Sequence, residues 1–176
     1  MTTPRTDIPE AIPLFARFNE LAIPTRTVTH APAHTVGEAQ ALRGEIAGAH
    51  AKNLFVKDKK GRLFLVTALE DARLDLKRLH EAIGGQGRVS FATAEQMRAH
   101  IGIEPGSVTP FAVMNDRSGA VTLVLQAALM AHETLNFHPL INTATTTIAR
   151  DDLIRFCEAV GHPPAIVALP EVPAAS

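Results

Sequence analysis

Three stretches of the chain carry the polar groups best suited to chemistry. They are Lys52-Asn53-Leu54-Phe55-Val56-Lys57, Gly106-Ser107-Val108-Thr109-Pro110, and Asn136-Phe137-His138-Pro139-Leu140-Ile141-Asn142-Thr143. Each joins a strand-like apolar run to groups that a strand end or loop edge can present. A lysine ammonium is a compact charge for a phosphate. A glycine-bracketed loop can aim backbone N–H groups at a carbonyl oxygen or an oxyanion. A His-Asn pair supplies donors and acceptors together. Such a set suits a small pocket for an anionic, ester-bearing ligand.

Each residue also has a plainer reading. Lys52 can be a strand-edge lysine reaching solvent. Gly106 to Pro110, after Glu104-Pro105, can be a simple helix-to-strand connection. His138 precedes Pro139, which forces extended backbone there, and the ring can merely cap a strand. Spacing alone does not choose between these readings.

Several other chemistries are excluded. There is no GxGxxG, no GxxxxGK[ST] and no GxSxG. His132-Glu133 is followed by His138, six residues after His132, where a zinc-binding helix needs the second His at four. His30 and His34 read as a chance pair in a loop. The single cysteine, Cys157, rules out an intrachain disulfide and a multi-cysteine metal site, and reads as a packed core thiol. No metal and no cofactor are expected.

Composition narrows the class. The 176 residues suffice for one domain with a sizeable core, here taken as residues 1–176 with a frayed tail from about 170. Hydrophobic residues make up 46% and charged residues 20%, as in ordinary globular proteins. No apolar run reaches membrane-spanning length, and no signal peptide precedes the first helix, so the cytoplasm is the expected compartment. A formal charge of −1 argues against generic DNA binding. Lys52, Lys57, Lys59, Lys60 and Arg62, followed by Arg73, Lys77 and Arg78, still form a local basic concentration, whose plain reading is a solvated hairpin tip and helix face.

The elements that must position these groups alternate along the chain. Ile8 to Leu21 has helical spacing through Ile8, Ile12, Phe15, Phe18 and Leu21. Thr25 to Thr29 is a strand. Thr35 caps a helix through Arg43, with Glu38 completing a capping box. Ala51 to Val56 and Arg62 to Thr67 form a hairpin around Lys57-Asp58-Lys59-Lys60-Gly61. Asp75 to Ile83 is a helix closed by Gly84-Gly85, and Arg88 to Phe91 a short strand. Thr93 caps a helix over Ala94 to Ile101. Phe111 to Met114, Val121 to Leu125, Thr134 to Phe137 and Thr143 to Ile148 are further strands. Asp151-Asp152 open a helix to Val160, and Ala165 to Leu169 is a last strand. Hairpin-length links among interspersed helices predict an α+β fold: a central mixed, mostly antiparallel sheet surrounded by helices.

On these residues the chain resembles the YbaK-like superfamily, the fold of the editing insertion of bacterial prolyl-tRNA synthetases. Lys52-Asn53-Leu54-Phe55, Pro105-Gly106-Ser107-Val108-Thr109-Pro110 and Asn136-Phe137-His138-Pro139-Leu140 carry the likeness, in that order. Within the superfamily the chain is most similar to the freestanding prolyl-tRNA deacylases that act on mischarged alanyl-tRNA(Pro). The resemblance runs from about Pro9 to Pro170. It implies an aminoacyl-tRNA deacylase whose partner is the aminoacylated 3′ end of tRNA(Pro), with prolyl-tRNA synthetase as a further partner. It implies that Lys52 lies at the substrate end and that Gly106, Ser107, Val108, Thr109 and Pro110 position the scissile ester. Asn53, His138, Asn142, Thr143 and Thr35 would contact substrate. Cysteinyl-tRNA(Pro) is an alternative cargo, and a noncatalytic module for aminoacyl adenosine an alternative role. Ala112, Val108 and Thr35 are the short residues expected to wall a pocket sized for alanine.

Overall fold

A computed structural model of the chain describes residues 6–32 and 46–173. The predicted helix at Thr35 lies outside them. The hairpin forms the middle of the fold: β2 (Ala49–Lys57) pairs antiparallel with β3 (Leu63–Leu69), Lys57 opposite Leu63 and Asn53 opposite Thr67. Its turn is wound around one carboxylate. Asp58 accepts hydrogen bonds from the amides of Lys60, Arg62 and Gln86, each at 2.9 Å, and from Arg62 Nε at 3.1 Å. Burial alone would raise its pKa, but the backbone bonds from Gln86 and Arg62 outweigh it and bring the group down to about 2.

The other strands are β1 (Thr25–Thr29), β4 (Ser90–Phe91), β5 (Val121–Gln126), β6 (Thr134–Phe137), β7 (Ala144–Ala149) and β8 (Ala165–Val167). They give one eight-stranded sheet in the order β1-β7-β6-β2-β3-β5-β8, with β4 on β2. β1/β7, β6/β7, β2/β3 and β2/β4 are antiparallel, whereas β2/β6, β3/β5 and β5/β8 are parallel. The sheet is thus mixed, as expected. β3, covered on both faces, has six consecutive buried residues, Leu63 to Ala68.

Alternation along the hairpin feeds two cores. Phe55, Leu63 and Leu65 enter the larger one; Val56, Phe64, Val66 and Ala68 enter the smaller one on the opposite face. The larger core centres on Phe111, whose ring lies 5.3 Å from Phe18, 5.5 Å from Phe137 and 5.6 Å from Phe156. α1 (Ile12–Glu20) and α4 (Arg150–Ala159) supply Phe18 and Phe156. The smaller core is covered by α2 (Leu79–Ile83) through Leu79 and Ile83. α3 (Ala94–Ile101) starts at the expected Thr93, where a complete capping box forms with Gln96.

Four expectations are corrected. Phe111 to Met114 is not a strand: Pro110–Asn115 is a 3-10 helix, started by Pro110 and by the Thr109 hydroxyl accepting from the Phe111 amide. Phe111, Ala112 and Val113 are all buried, so an apolar run without alternation was a buried helical turn. In the first helix, Ile12 is 41% exposed and Leu14 takes the core position. A 3-10 turn at Pro9–Ala11 rotates the register there. Helix α2 begins only at Leu79, because Leu74 bridges Glu171 and the Asp75 amide donates to Pro170 O at 2.8 Å. The same contacts, with the Val172 amide on Arg73 O at 2.8 Å, tie down the first part of the supposed frayed tail.

Candidate functional site

The Gly106–Pro110 segment is built by what precedes it. Arg98 on α3 holds the Glu104 carboxylate with Nε on Oε1 and Nη2 on Oε2, both at 2.8 Å. This guanidinium keeps the Glu104 carboxyl below its usual range. The Glu104 carbonyl then accepts from the Ser107 amide at 3.1 Å. Pro105 and Gly106, the latter at φ +93°, occupy the middle of the turn, as in a type II turn. The Ser107 amide is therefore committed. The amides of Gly106, Val108 and Thr109 donate to no acceptor among the described residues, although Thr109 is fully buried. Gly106 is exposed, Val108 half-buried and Thr109 buried, where backbone donors are ordinarily paired; these three unpaired amides are the loop's available donors. The Ser107 hydroxyl, on a residue 6% exposed, has no described partner either.

The loop faces the third sequence stretch. A Cβ on Gly106 would lie 3.8 Å from Asn142 Nδ2. Between His138 and Thr143 the chain turns from β6 into β7, with Leu140 at φ +69°. A branched apolar side chain at positive φ is strained by about 1–3 kcal/mol, and such strain concentrates at functional sites. His138 is half-buried, and its Nδ1–H donates to Ala144 O at 3.1 Å. That bond leaves Nε2 as the lone-pair nitrogen of the neutral ring. Burial holds the His138 pKa below the ordinary histidine value against the Ala144 bond, and His30 lowers it further. Asn136 has a structural task instead. Its Nδ2 donates to Ala47 O and Ala49 O at 3.0 and 3.2 Å, and its Oδ1 accepts from Thr147 Oγ1 at 2.6 Å.

His30 was not foreseen at this site. Its amide donates to Thr143 O at 2.8 Å, and its Nε2 lies 2.8 Å from Thr145 Oγ1. The signal is the pairing of β1 with β7, which sets Thr29 opposite Ala144. Nothing in the local sequence reveals that register.

The first stretch divides across the sheet. Asn53 shares a strand face with Phe55, and its Oδ1 accepts from Thr67 Oγ1 at 2.7 Å. Lys52 points to the smaller-core face, where its ammonium donates to the Ala72 carbonyl. The structure thus brings Gly106 to Asn142, and His30 to Thr143 and Thr145. Lys52 reaches a separate edge, and Thr35 lies outside the described residues. Cys157 is sealed in the core, where burial pushes its thiol up to about 12. Among the described residues no cluster of three His, Cys, Asp or Glu side chains could hold a metal ion, and no helix is long and apolar enough to cross a membrane.

A loop offering backbone donors beside the Asn142 amide side chain can orient water and an acyl carbonyl. Comparison with known proteins defines the class. The aminoacyl-tRNA editing domain family matches residues 30–156, and the chain belongs to that family, in its YbaK/ProX-like form. It is 33% identical over 150 residues to the prolyl-tRNA editing protein ProX of Acetoanaerobium sticklandii, covering 85% of this chain and 91% of that one. It is 37% identical over 155 residues to the mouse prolyl-tRNA synthetase associated domain-containing protein 1, covering 86% and 91%. A crystal structure described as a candidate trans-editing enzyme for prolyl tRNA synthetase shares the fold, with TM-score 0.68 at 20% identity over 91% of this chain and 97% of that one.

Proposed function

We propose that the protein edits in trans, hydrolysing the ester of alanyl-tRNA(Pro). The observation that carries this reading is the Glu104–Ser107 turn. It commits one amide to the turn itself and leaves those of Gly106, Val108 and Thr109 without described partners, beside Asn142. Water adds to the ester carbonyl carbon, and the resulting oxyanion accepts hydrogen bonds from the loop amides. Collapse breaks the bond to the ribose oxygen, which takes up a proton, and alanine leaves with free tRNA. An aminoacyl ester is already activated, so positioning outweighs strong base catalysis. His138, neutral and with Nε2 as acceptor, orients the water or a ribose hydroxyl. The Lys52 ammonium keeps two N–H donors beyond its bond to Ala72, enough to meet a phosphate.

The need for such an enzyme follows from binding energies. A synthetic site built for proline rejects alanine weakly, because each missing methylene is worth only about 1–3 kcal/mol. A second site that excludes the larger ring supplies the missing discrimination. The relatives named for prolyl-tRNA editing and for association with prolyl-tRNA synthetase support tRNA(Pro) as the substrate and that synthetase as a partner. The test is deacylation of tRNA(Pro) charged in turn with alanine, cysteine and proline. Preferential hydrolysis of the alanyl ester is expected. Preference for cysteine would reassign the cargo, and binding without hydrolysis would make the protein a noncatalytic module.

A further inference from the structure

The chain carries a strong charge asymmetry that its net charge conceals. Residues 52–88 contain nine Lys or Arg against five Asp or Glu, while the whole protein has 17 against 18. The fold lays this segment over itself. Residues 72–83 cover the smaller core on the face of β2 and β3 that carries Val56, Phe64, Val66 and Ala68. The layer is pinned at both ends. At one end Lys52 Nζ donates to Ala72 O. At the other, Arg62 Nη2 donates to Gly84 O at 2.6 Å, the Lys59 amide to Gln86 O at 3.0 Å, and the Gln86 amide to Asp58. Two basic runs distant in sequence therefore lie side by side.

Their cations are also less neutralised than those elsewhere. Away from this layer, four of the six described cations, Arg17, Arg98, Arg150 and Arg155, pair with a neighbouring acid, Glu20, Glu104, Asp151 and Asp152, and only Arg26 and Arg117 do not. Within the layer Arg78 pairs with Glu81 and Arg62 with Asp58. Lys59, Lys60, Arg73, Lys77 and Arg88 have no acidic partner among the described residues, and all are exposed; the half-buried Lys57 faces the opposite side of β2 with Phe55. At the tip, the Lys59 stem lies across Gly87, where an added Cβ would come within 2.5 Å of Lys59 Cδ, so Lys59 and Arg88 are neighbours. Phe91, 59% exposed, lies on the adjoining β4. Unpaired cations with an exposed ring beside them match a nucleic-acid backbone with an accessible base.

We propose that this band is the docking surface for the sugar-phosphate backbone of the RNA that carries the ester, beyond its terminal adenosine. The inference rests on the editing reading for its choice of RNA. Along β2, Lys52 and Lys57 are separated by five residues, about 17 Å at ~3.3 Å each. A strand leaving the Lys52 end would thus run a few nucleotides before reaching Lys59, Lys60 and Arg88. Those three residues are remote from the ester and act on binding alone.

The test is the triple variant Lys59→Gln, Lys60→Gln, Arg88→Gln, which keeps the side-chain stems and removes the charges. The control, Arg17→Gln, Arg26→Gln, Arg117→Gln, removes as many charges elsewhere. Affinity for uncharged tRNA(Pro) is measured across a salt series, with hydrolysis of alanyl-tRNA(Pro) and of a 3′-alanyl-CCA trinucleotide. The tip variant should bind tRNA about tenfold or more weakly, with a salt slope smaller by roughly 2. Its rate on the trinucleotide should stay at wild type, and the control should behave as wild type throughout. Equal losses in tip and control variants, or a tip variant slow on the trinucleotide, would overturn the proposal. A wild-type protein that binds tRNA through the tip but hydrolyses no ester would leave the docking surface standing and remove the editing reading.

Discussion

Substitution at Gly106 separates a backbone-built site from a side-chain one. Gly106 holds φ +93°, a conformation that an L residue enters at about 1–2 kcal/mol. An added Cβ meets only Asn142 Nδ2, at the ordinary contact distance of 3.8 Å. Gly106→Ala should therefore cost that strain and little more. For a chain of this size each kcal/mol lowers the melting temperature by roughly 2–4 °C, so the alanine variant should melt about 2–8 °C lower. Gly106→Val adds two methyl groups toward Asn142 and a stiffer backbone, and should melt lower still. Relief of the strain must open the Glu104–Ser107 turn and displace the amides of Val108 and Thr109. A displacement of about 1 Å at a positioned site costs on the order of 100-fold in rate. Ser107→Ala keeps the turn, because the amide and not the hydroxyl holds Glu104 O. It should retain near-normal stability and turnover. Thermal melts and initial rates on alanyl-tRNA(Pro) for the three variants decide the matter. If Ser107→Ala abolishes hydrolysis while Gly106→Val does not, the loop is a serine-nucleophile site and the oxyanion reasoning is wrong.

Lys52→Ala should lower deacylation by orders of magnitude with the fold intact by circular dichroism; near-normal turnover would remove Lys52 from the site. Burial holds the His138 pKa below its ordinary value in the folded protein, so as pH falls below about 6.5 the unfolded chain takes up a proton more readily than the folded chain. Stability should then fall with decreasing pH from that point, and His138→Asn should flatten the slope in urea titrations just below about pH 6.5; an unchanged slope would refute it. His162 Nε2 lies 2.8 Å from Asp116 Oδ2, both side chains at most 5% exposed. Burial raises the Asp116 pKa, but the His162 bond and the amides of Val121 and Ala120 bring it below its ordinary value. His162→Ala should cost about 3 kcal/mol, and a loss under 1 kcal/mol by denaturant titration would contradict the pairing.

What the sequence revealed was what local chemistry dictates. The β2–β3 hairpin, the Thr93 cap and the αL glycines Gly84 and Gly102 follow from short-range rules, and all three appear as expected. The misreadings arose where distant contacts decide. Leu74 and Asp75 looked helical, but the chain at Pro170 to Val172 captures their backbone groups. His30 joins Thr143 and Thr145 only through the β1/β7 register, and Lys52 and Asn53, adjacent in sequence, diverge because neighbours on a strand face opposite ways. The family motifs do not show which amide each turn consumes.

The misread 3-10 helix also explains how a loop of small residues can hold a fixed shape. Pro110 leads directly into Phe111, which is fully buried and touches the rings of Phe18, Phe137 and Phe156. Those rings come from α1, β6 and α4, so the loop's exit is set by three elements at once. Phe137, the last residue of β6, immediately precedes His138, and the core thereby fixes both stretches through adjacent residues. The entry is held independently, by the Arg98 grip on Glu104. Beyond the exit, Asp116 ties the end of the 3-10 helix to His162 after α4. A strand at Phe111 to Met114 would have left the loop on a sheet edge, free to slide in register. A buried helical turn anchored by aromatic rings allows no such slip, and a site that works by placing backbone donors depends on that rigidity.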